Sequence, residues 1–318
     1  MTAERPAPAS TTPSTSPPAP VAATGSIYDL GYQRYDGRRL GRPFAIRALY
    51  IHSLKGTFGI GRGGRAKIVP FGLLALAVVP AIVAIGFQAL LGRAGAAGRQ
   101  IEAPIRFDTY YPYVQTLVML FVAAQAPELL GRDQRYHVLS LYFSRALRRS
   151  DYAIAKAAAL VSAILLVVLV PQAIIFVGLT LAGRDVVDAL GENLRSSPAI
   201  LVEGTLVAVL LGAIGLAIAA HTPRRAYASA TIIGAFIVPP IVAAIIGQAA
   251  RGDLGRYVVL LSPGDVLEGL NAWVFARLPT NQTVARADLP GPLLLAVAIV
   301  ATALLFGAVL RRYWRIAA

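Results

Sequence analysis

Cysteine is absent from the 318 residues, which excludes a disulfide scaffold, a thiolate metal site and a cysteine nucleophile together. Charge is scarce as well. Asp, Glu, Lys and Arg make up 14% of the chain, against roughly 25% in ordinary soluble domains, too little to clothe a water-soluble globule. Only three lysines occur, Lys55, Lys67 and Lys156, and only three histidines, His52, His137 and His221, which stand far apart and outside any zinc-binding spacing. No G-x-S-x-G elbow is present to raise a serine nucleophile. A P-loop is missing too: Lys67 is followed by Ile68 and the glycine spacing before it fails, so this chain does not hydrolyse ATP through one. The basic and then apolar pattern of a secretory signal does not open the sequence, and no signal peptide is expected.

What the chain has in quantity is apolar sequence, with 56% hydrophobic residues, a formal charge of +14 and a pI near 10.5. A basic balance points to nucleic acid only when the basic residues share one wet face. Here they punctuate apolar runs, so no nucleic-acid partner is expected. The leaning toward Ala, Val and Leu with few lysines fits a GC-rich bacterial genome. Residues 1–26 are Pro, Ala, Ser and Thr with almost no large apolar side chain, and read as a disordered tail. Residues 27–67 form a leader with an interfacial helix, and 68–318 a transmembrane domain.

A hydrocarbon core about 30 Å thick takes roughly 20 apolar residues in a helix. Six segments satisfy that: 68–91, 113–130, 153–182, 200–220, 226–249 and 292–310. The fold class is therefore an all-α integral membrane protein. Pro171 is placed for a kink in the third span, and Pro239 with Pro240 is expected to interrupt the fifth. Cytoplasmic loops retain Lys and Arg. Ten precede the first span, six lie between the second and third spans through Lys156, two lie in the 221–225 turn and three follow the last span. The other three connections, 92–112, 183–199 and 250–291, hold nine basic and nine acidic residues. Both termini are accordingly expected in the cytoplasm of a multi-pass bacterial plasma-membrane protein. The loop 250–291 is long enough for a helix of its own, over 266–275 with Asp265 as its cap. Asn281, Gln282 and Thr283 match a glycosylation sequon, best read as chance.

Ahead of the first span, Ile46, Tyr50, Leu54 and Phe58 recur every four residues while Arg47, His52 and Lys55 point elsewhere. This spacing predicts an amphipathic helix lying in the headgroup plane, an elbow before the bundle, or alternatively a helix packed on protein. The following Gly59, Gly61 and Gly64 satisfy G-x-G-x-x-G formally, but that fingerprint needs a strand before it and a helix after it. A flexible link is the expected reading. Two carboxylates approach membrane depth, where such groups are costly. Glu128 is read as paired with Arg132 one turn on, at the cytoplasmic boundary. Glu203 is read as snorkelling to the outer interface, with a cavity-lining role as the weak candidate for a substrate pathway.

The connection 128–156 mixes a short apolar run, 138–143, with five arginines and leads straight into a long helix. An apolar stripe edged with charge at a membrane exit suits docking into a groove on a soluble partner, while an ordinary basic loop is the other reading. Glu128, Arg132, Asp133, Leu139, Leu141, Tyr142, Ser144, Arg145, Arg149, Tyr152 and Lys156 stand where the first cytoplasmic loop of the ABC-2 type permease family has its E, RD, L-x-LY, SR, R, Y and K. In these residues the chain resembles that family. It departs at Ala146, where the family has proline, and at Phe143, where leucine is common. The block 28–41 also resembles the leader of actinobacterial members, and the six-span plan extends the likeness over most of the chain.

The resemblance implies a non-catalytic permease subunit of an ATP-binding cassette exporter, paired with a second permease subunit and seated on a separately encoded ATPase. ATP and magnesium would be held by that partner, and no cofactor or metal by this chain. Leu139, Leu141, Tyr142, Ser144, Arg145 and Arg149 would contact the ATPase, and Glu128 and Asp133 would orient the loop by pairing with arginines. An ion-driven secondary transporter and a membrane scaffold protein without transport are the competing readings. The apolar lining of the spans permits a lipid, a hydrophobic drug or a peptide as cargo.

Overall fold

The computed structural model describes Gly37 and residues 40–93, 105–144, 147–182, 185–249 and 254–315. The helices below belong to the unit Leu40–Ala318, and the tail read over residues 1–26 lies outside the described residues. Among the described residues the secondary structure is helical and contains no strand. Six helices are long and apolar enough to cross a membrane: α2 (Arg65–Arg93), α3 (Phe107–Arg135), α5 (Arg149–Ala182), α6 (Val186–His221), α7 (Arg225–Ala249) and α11 (Gly291–Arg315). A short α1 (Gly41–Thr57) precedes them, and α4 (Leu139–Phe143) sits in the α3–α5 connection. The α7–α11 connection folds into α8 (Leu254–Tyr257), a 3-10 turn (Val258–Leu261), α9 (Pro263–Val274) and α10 (Gln282–Ala287).

The core of the bundle is α6, packed between α3 and α5. Without a strong hydrophobic force between helices in lipid, close backbone approach by small residues drives such packing. Gly215 shows why the residue is small: a Cβ there would stand 2.5 Å from Val122 of α3. Hydrogen bonds stitch the spans together as well, with Tyr110 donating to the Ala77 carbonyl (3.0 Å) and Ser229 to the Ala123 carbonyl (2.8 Å). The apolar faces of α2, α7 and α11 remain largely uncovered by protein.

Two expectations about the spans are corrected. The 183–199 stretch, read as a loop, is mostly the first turns of α6, because Asp185 caps the helix at Val187 N (2.8 Å) and Asp188 N (3.3 Å) and Pro198 is carried inside it. Likewise α7 runs through Pro239 and Pro240 without a break. Two prolines remove two backbone donors, but the surrounding apolar turns keep helical geometry.

The α1 helix packs along α5, with Leu49, Ser53 and Thr57 buried and Ile46, Tyr50 and Leu54 half-buried. Tyr50 and Ser162 share a hydrogen bond at 2.9 Å. Arg42 grips Asp151 through two parallel bonds of 2.7 and 2.6 Å. The stripe read at spacings of four thus faces protein, while Phe44 and Ile51 are exposed beside Arg47, His52 and Lys55. Nor is the glycine segment a flexible link. Ile60 N bonds the Lys55 carbonyl and Gly59 N the Gly56 carbonyl, a closed C-terminal turn with Gly59 at φ +68°.

Candidate functional site

One end of the bundle carries the α3–α5 connection, the loop before α2, the α6–α7 turn and the last turn of α11. Glu128 is its first organising residue. Its carboxylate meets Arg62 at 2.7 Å, Arg225 at 3.0 Å and Arg132 at 3.9 Å. The one-turn pair with Arg132 read from the sequence is thus the longest of three. Arg62, from the glycine turn, and Arg225, from the start of α7, were invisible as partners because both are distant in the chain. Burial first, and then the nearby Arg132, draw the Arg62 guanidinium below its ordinary value, with Glu128 opposing.

Asp133 corrects a second expectation. It pairs with Lys156 (2.8 Å) and accepts from the Tyr152 hydroxyl (2.8 Å), and no arginine pairs with it among the described residues. Lys156 is buried and also donates to the Leu129 carbonyl (3.2 Å). Placing an ammonium there demands a carboxylate and a carbonyl at hand. The Tyr152 ring lies 5.1 Å from that of Tyr313 of α11, tilted by 58°; the Tyr313 hydroxyl accepts from Gln134 at 3.2 Å, and Gln134 also reaches the Ala220 carbonyl at 3.3 Å. Four spans, α3, α5, α6 and α11, therefore meet in one polar and aromatic knot beneath the connection. Tyr152 and Lys156 sit in the family-like pattern, whereas no local signal marks Tyr313 or Gln134.

The connection itself begins with a tight turn. His137 adopts φ +52°, and the bonds Val138 N to Asp133 O and His137 N to Gln134 O close α3 as glycine usually does. Leu139 is buried and anchors α4, while Leu141 is 66% exposed and Tyr136 equally so. Tyr142 is half-buried with its ring 5.7 Å from Tyr152, and burial pushes its hydroxyl above the ordinary value. Ser144 is exposed and donates to the Leu141 carbonyl at 3.0 Å. Arg149 is turned inward to the Trp314 carbonyl (2.9 Å) and lies 5.9 Å over the Phe143 ring. Arg145, the remaining contact residue expected from the sequence, lies outside the described residues, as does Ala146. Between α1 and this connection runs a groove of about 720 Å³, with Phe44 and His52 on one wall and Tyr136, Val138 and Leu141 on the other.

The opposite end holds Glu203, and here the snorkelling reading is overturned. Glu203 is 2% exposed, and its Oε1 accepts from Asn271 of α9. The α9 helix, capped by Ser262 rather than by Asp265, folds back against α6 and seals the carboxylate from the outer surface. Arg277 bonds Asn271 and Glu268 (3.2 Å), and Glu268 also accepts from Thr280 N at 2.8 Å. The sequon residue Asn281 caps α10 at Thr283 N (2.9 Å) and donates to Asp265 (2.9 Å). Among the described residues no cluster of three His, Asp or Glu is placed to hold a metal ion. No protein-family model and no curated protein matches this chain.

Proposed function

We propose that the protein is the permease subunit of an ABC-2 type transporter, an exporter in a bacterial plasma membrane, with both termini in the cytoplasm. The observation that carries this reading is the groove between α1 and the α3–α5 connection, with Leu141 and Tyr136 exposed at its edge. An exposed leucine and tyrosine on the basic end of a membrane bundle fit a docking surface for a soluble ATPase better than a plain loop. The knot of Asp133, Lys156, Tyr152 and Tyr313 supports it further. A push on the connection is delivered to four spans at once, because the bonds and ring contact beneath it join α3, α5, α6 and α11. In this scheme α1 is the elbow helix at the membrane surface. Its outward Ile51 rests among headgroups beside Arg47 and Lys55. ATP and magnesium belong to the partner ATPase, and a second permease subunit completes the pathway.

The decisive test is co-purification of the chain with a co-expressed ATPase subunit, comparing wild type with Leu141→Glu. Leu141 is mostly solvent-exposed, so the variant should keep its unfolding temperature while losing the ATPase. Retention of the ATPase by the variant would remove the docking role from this surface. Glu203 supports the second reading, ion-driven transport, since a buried carboxylate in a span is a common ion-coupling device. That reading gains if no ATPase binds and Glu203→Gln abolishes uptake driven by a proton gradient.

A further inference from the structure

A cleft of about 400 Å³ opens between α3, α7 and α9, toward the end of the bundle opposite the connection. Its volume lies within the range of about 300 to 1,000 Å³ that small-molecule sites occupy. Met119 of α3 and Phe236, Ile237 and Pro240 of α7 make one side apolar, and Asp265 and Glu268 of α9 make the other acidic. Its lining residues Leu120 and Ile237 are exposed and mark the mouth.

Asp265 is the unusual member. It is 3% exposed, and its Oδ1 accepts from Asn281 while Oδ2 has no partner. The usual local partner for an acid at this helix position, the N–H of the capping residue, is already bonded from Ser262 to the Val259 carbonyl at 3.1 Å. The one basic side chain in the cluster, Arg277, is committed to Glu268, Asn271 and the Asp108, Leu278 and Thr280 oxygens. Three carboxylates, Glu203, Asp265 and Glu268, thus stand against one arginine. Burial raises the Asp265 carboxyl above its ordinary value, against the pull of the Ser262 hydroxyl beside it and with Glu268 adding to the rise, so a bound cation would relieve a cost already present. Gly264, next to it, brings α9 close to α3: a Cβ there would lie 2.5 Å from the Gln115 amide nitrogen.

We infer that this cleft binds an amphipathic cation, a primary ammonium on an apolar body, with Asp265 Oδ2 as the acceptor and the α3 and α7 wall holding the apolar part. A single carboxylate oxygen without a hydrogen-bond partner, on a cleft with an apolar wall, suits one N–H donor group, where a metal ion would need several oxygens. As a transported substrate this ligand rests on the transport reading above. As a bound ligand it does not.

The test is fluorescence titration of dansylcadaverine, an apolar ring system bearing a primary ammonium, onto the purified full chain in phosphatidylcholine nanodiscs, with empty nanodiscs subtracted. Saturable binding is expected. Asp265→Asn should weaken it about tenfold or more, the scale of one charge-assisted hydrogen bond. Ile237→Trp, which crowds the mouth and leaves every acid in place, should weaken it as well, while Glu192→Gln on the exposed start of α6 should not. The N-acetylated, uncharged probe should fail to compete. Phosphatidylethanolamine added to the discs separates the sources: competition assigns the site to a lipid headgroup, and its absence to a cation from solution. Unsaturable binding, an undiminished Asp265→Asn, or equal competition by the uncharged probe would overturn the assignment. Loss of the ATPase with binding retained would sink the permease reading alone, and the reverse pattern would sink the cleft alone.

Discussion

Glu128 bears more than its place in the sequence indicates. A carboxylate one turn before an arginine reads as a surface pair of small value, yet here it gathers Arg62, Arg132 and Arg225 from three segments. Replacing it by glutamine leaves three guanidinium groups facing one another without a counter-charge. Glu128→Gln is expected to cost about 2 kcal/mol, seen as a lowered unfolding temperature in detergent. Arg132→Ala removes only the 3.9 Å contact of a half-exposed side chain, and its effect should stay within about 0.5 kcal/mol. Equal losses in the two variants would mean that the distant arginines contribute nothing. Asp133 and Glu203 make the same point from the other side. Each was legible as an acid near a membrane boundary, but Lys156, Tyr152 and Asn271 became their partners only through the packing of spans.

Among the elements, the turns decide how the connection is presented. Gly59 ends α1 at φ +68°, and a Cβ there would lie 2.6 Å from the Ala66 carbonyl oxygen. Gly59→Ala therefore meets both backbone strain and a clash with main chain, and should destabilise by about 2 kcal/mol or more. The loss should come with release of Arg62 from Glu128, because the same turn aims that arginine. A thermal melt unchanged from wild type would show that the turn is not held as described. Periodicity revealed that α1 is a helix and which stripe is apolar. It did not tell lipid from protein as the surface opposite, since Ile46, Tyr50 and Leu54 suit either. The capping of α6 by Asp185 was legible in principle, as an aspartate ahead of Val186. The turns it starts carry Asp188, Glu192, Asn193 and Arg195 and so fall outside the apolar run that begins at residue 200.

For the whole molecule, six long helices return the chain to the end where it began, so Leu141 and the α9–α10 segment lie at opposite ends. The absence of cysteine allows a clean check of orientation. Leu278→Cys, at a residue 88% exposed, should react with a membrane-impermeant maleimide on intact cells. Leu141→Cys should react only after the membrane is permeabilised. The reversed pattern would invert the protein and place the groove outside, where no ATPase waits.

Composition and the length of the apolar runs were enough to determine an all-α protein with six membrane-spanning helices, because hydrocarbon admits little else for a single chain of such segments. The number of spans determined which loops share an end, since each span carries the chain across once. The tertiary structure alone decided which carboxylates are buried, which partner each one meets, and that Asp265 keeps an oxygen without a partner in a cleft with an apolar wall. Those outcomes depend on side chains brought together from separations of 16 residues for Asp265 and Asn281 to 109 for Arg42 and Asp151, and the local helical repeat holds no record of them.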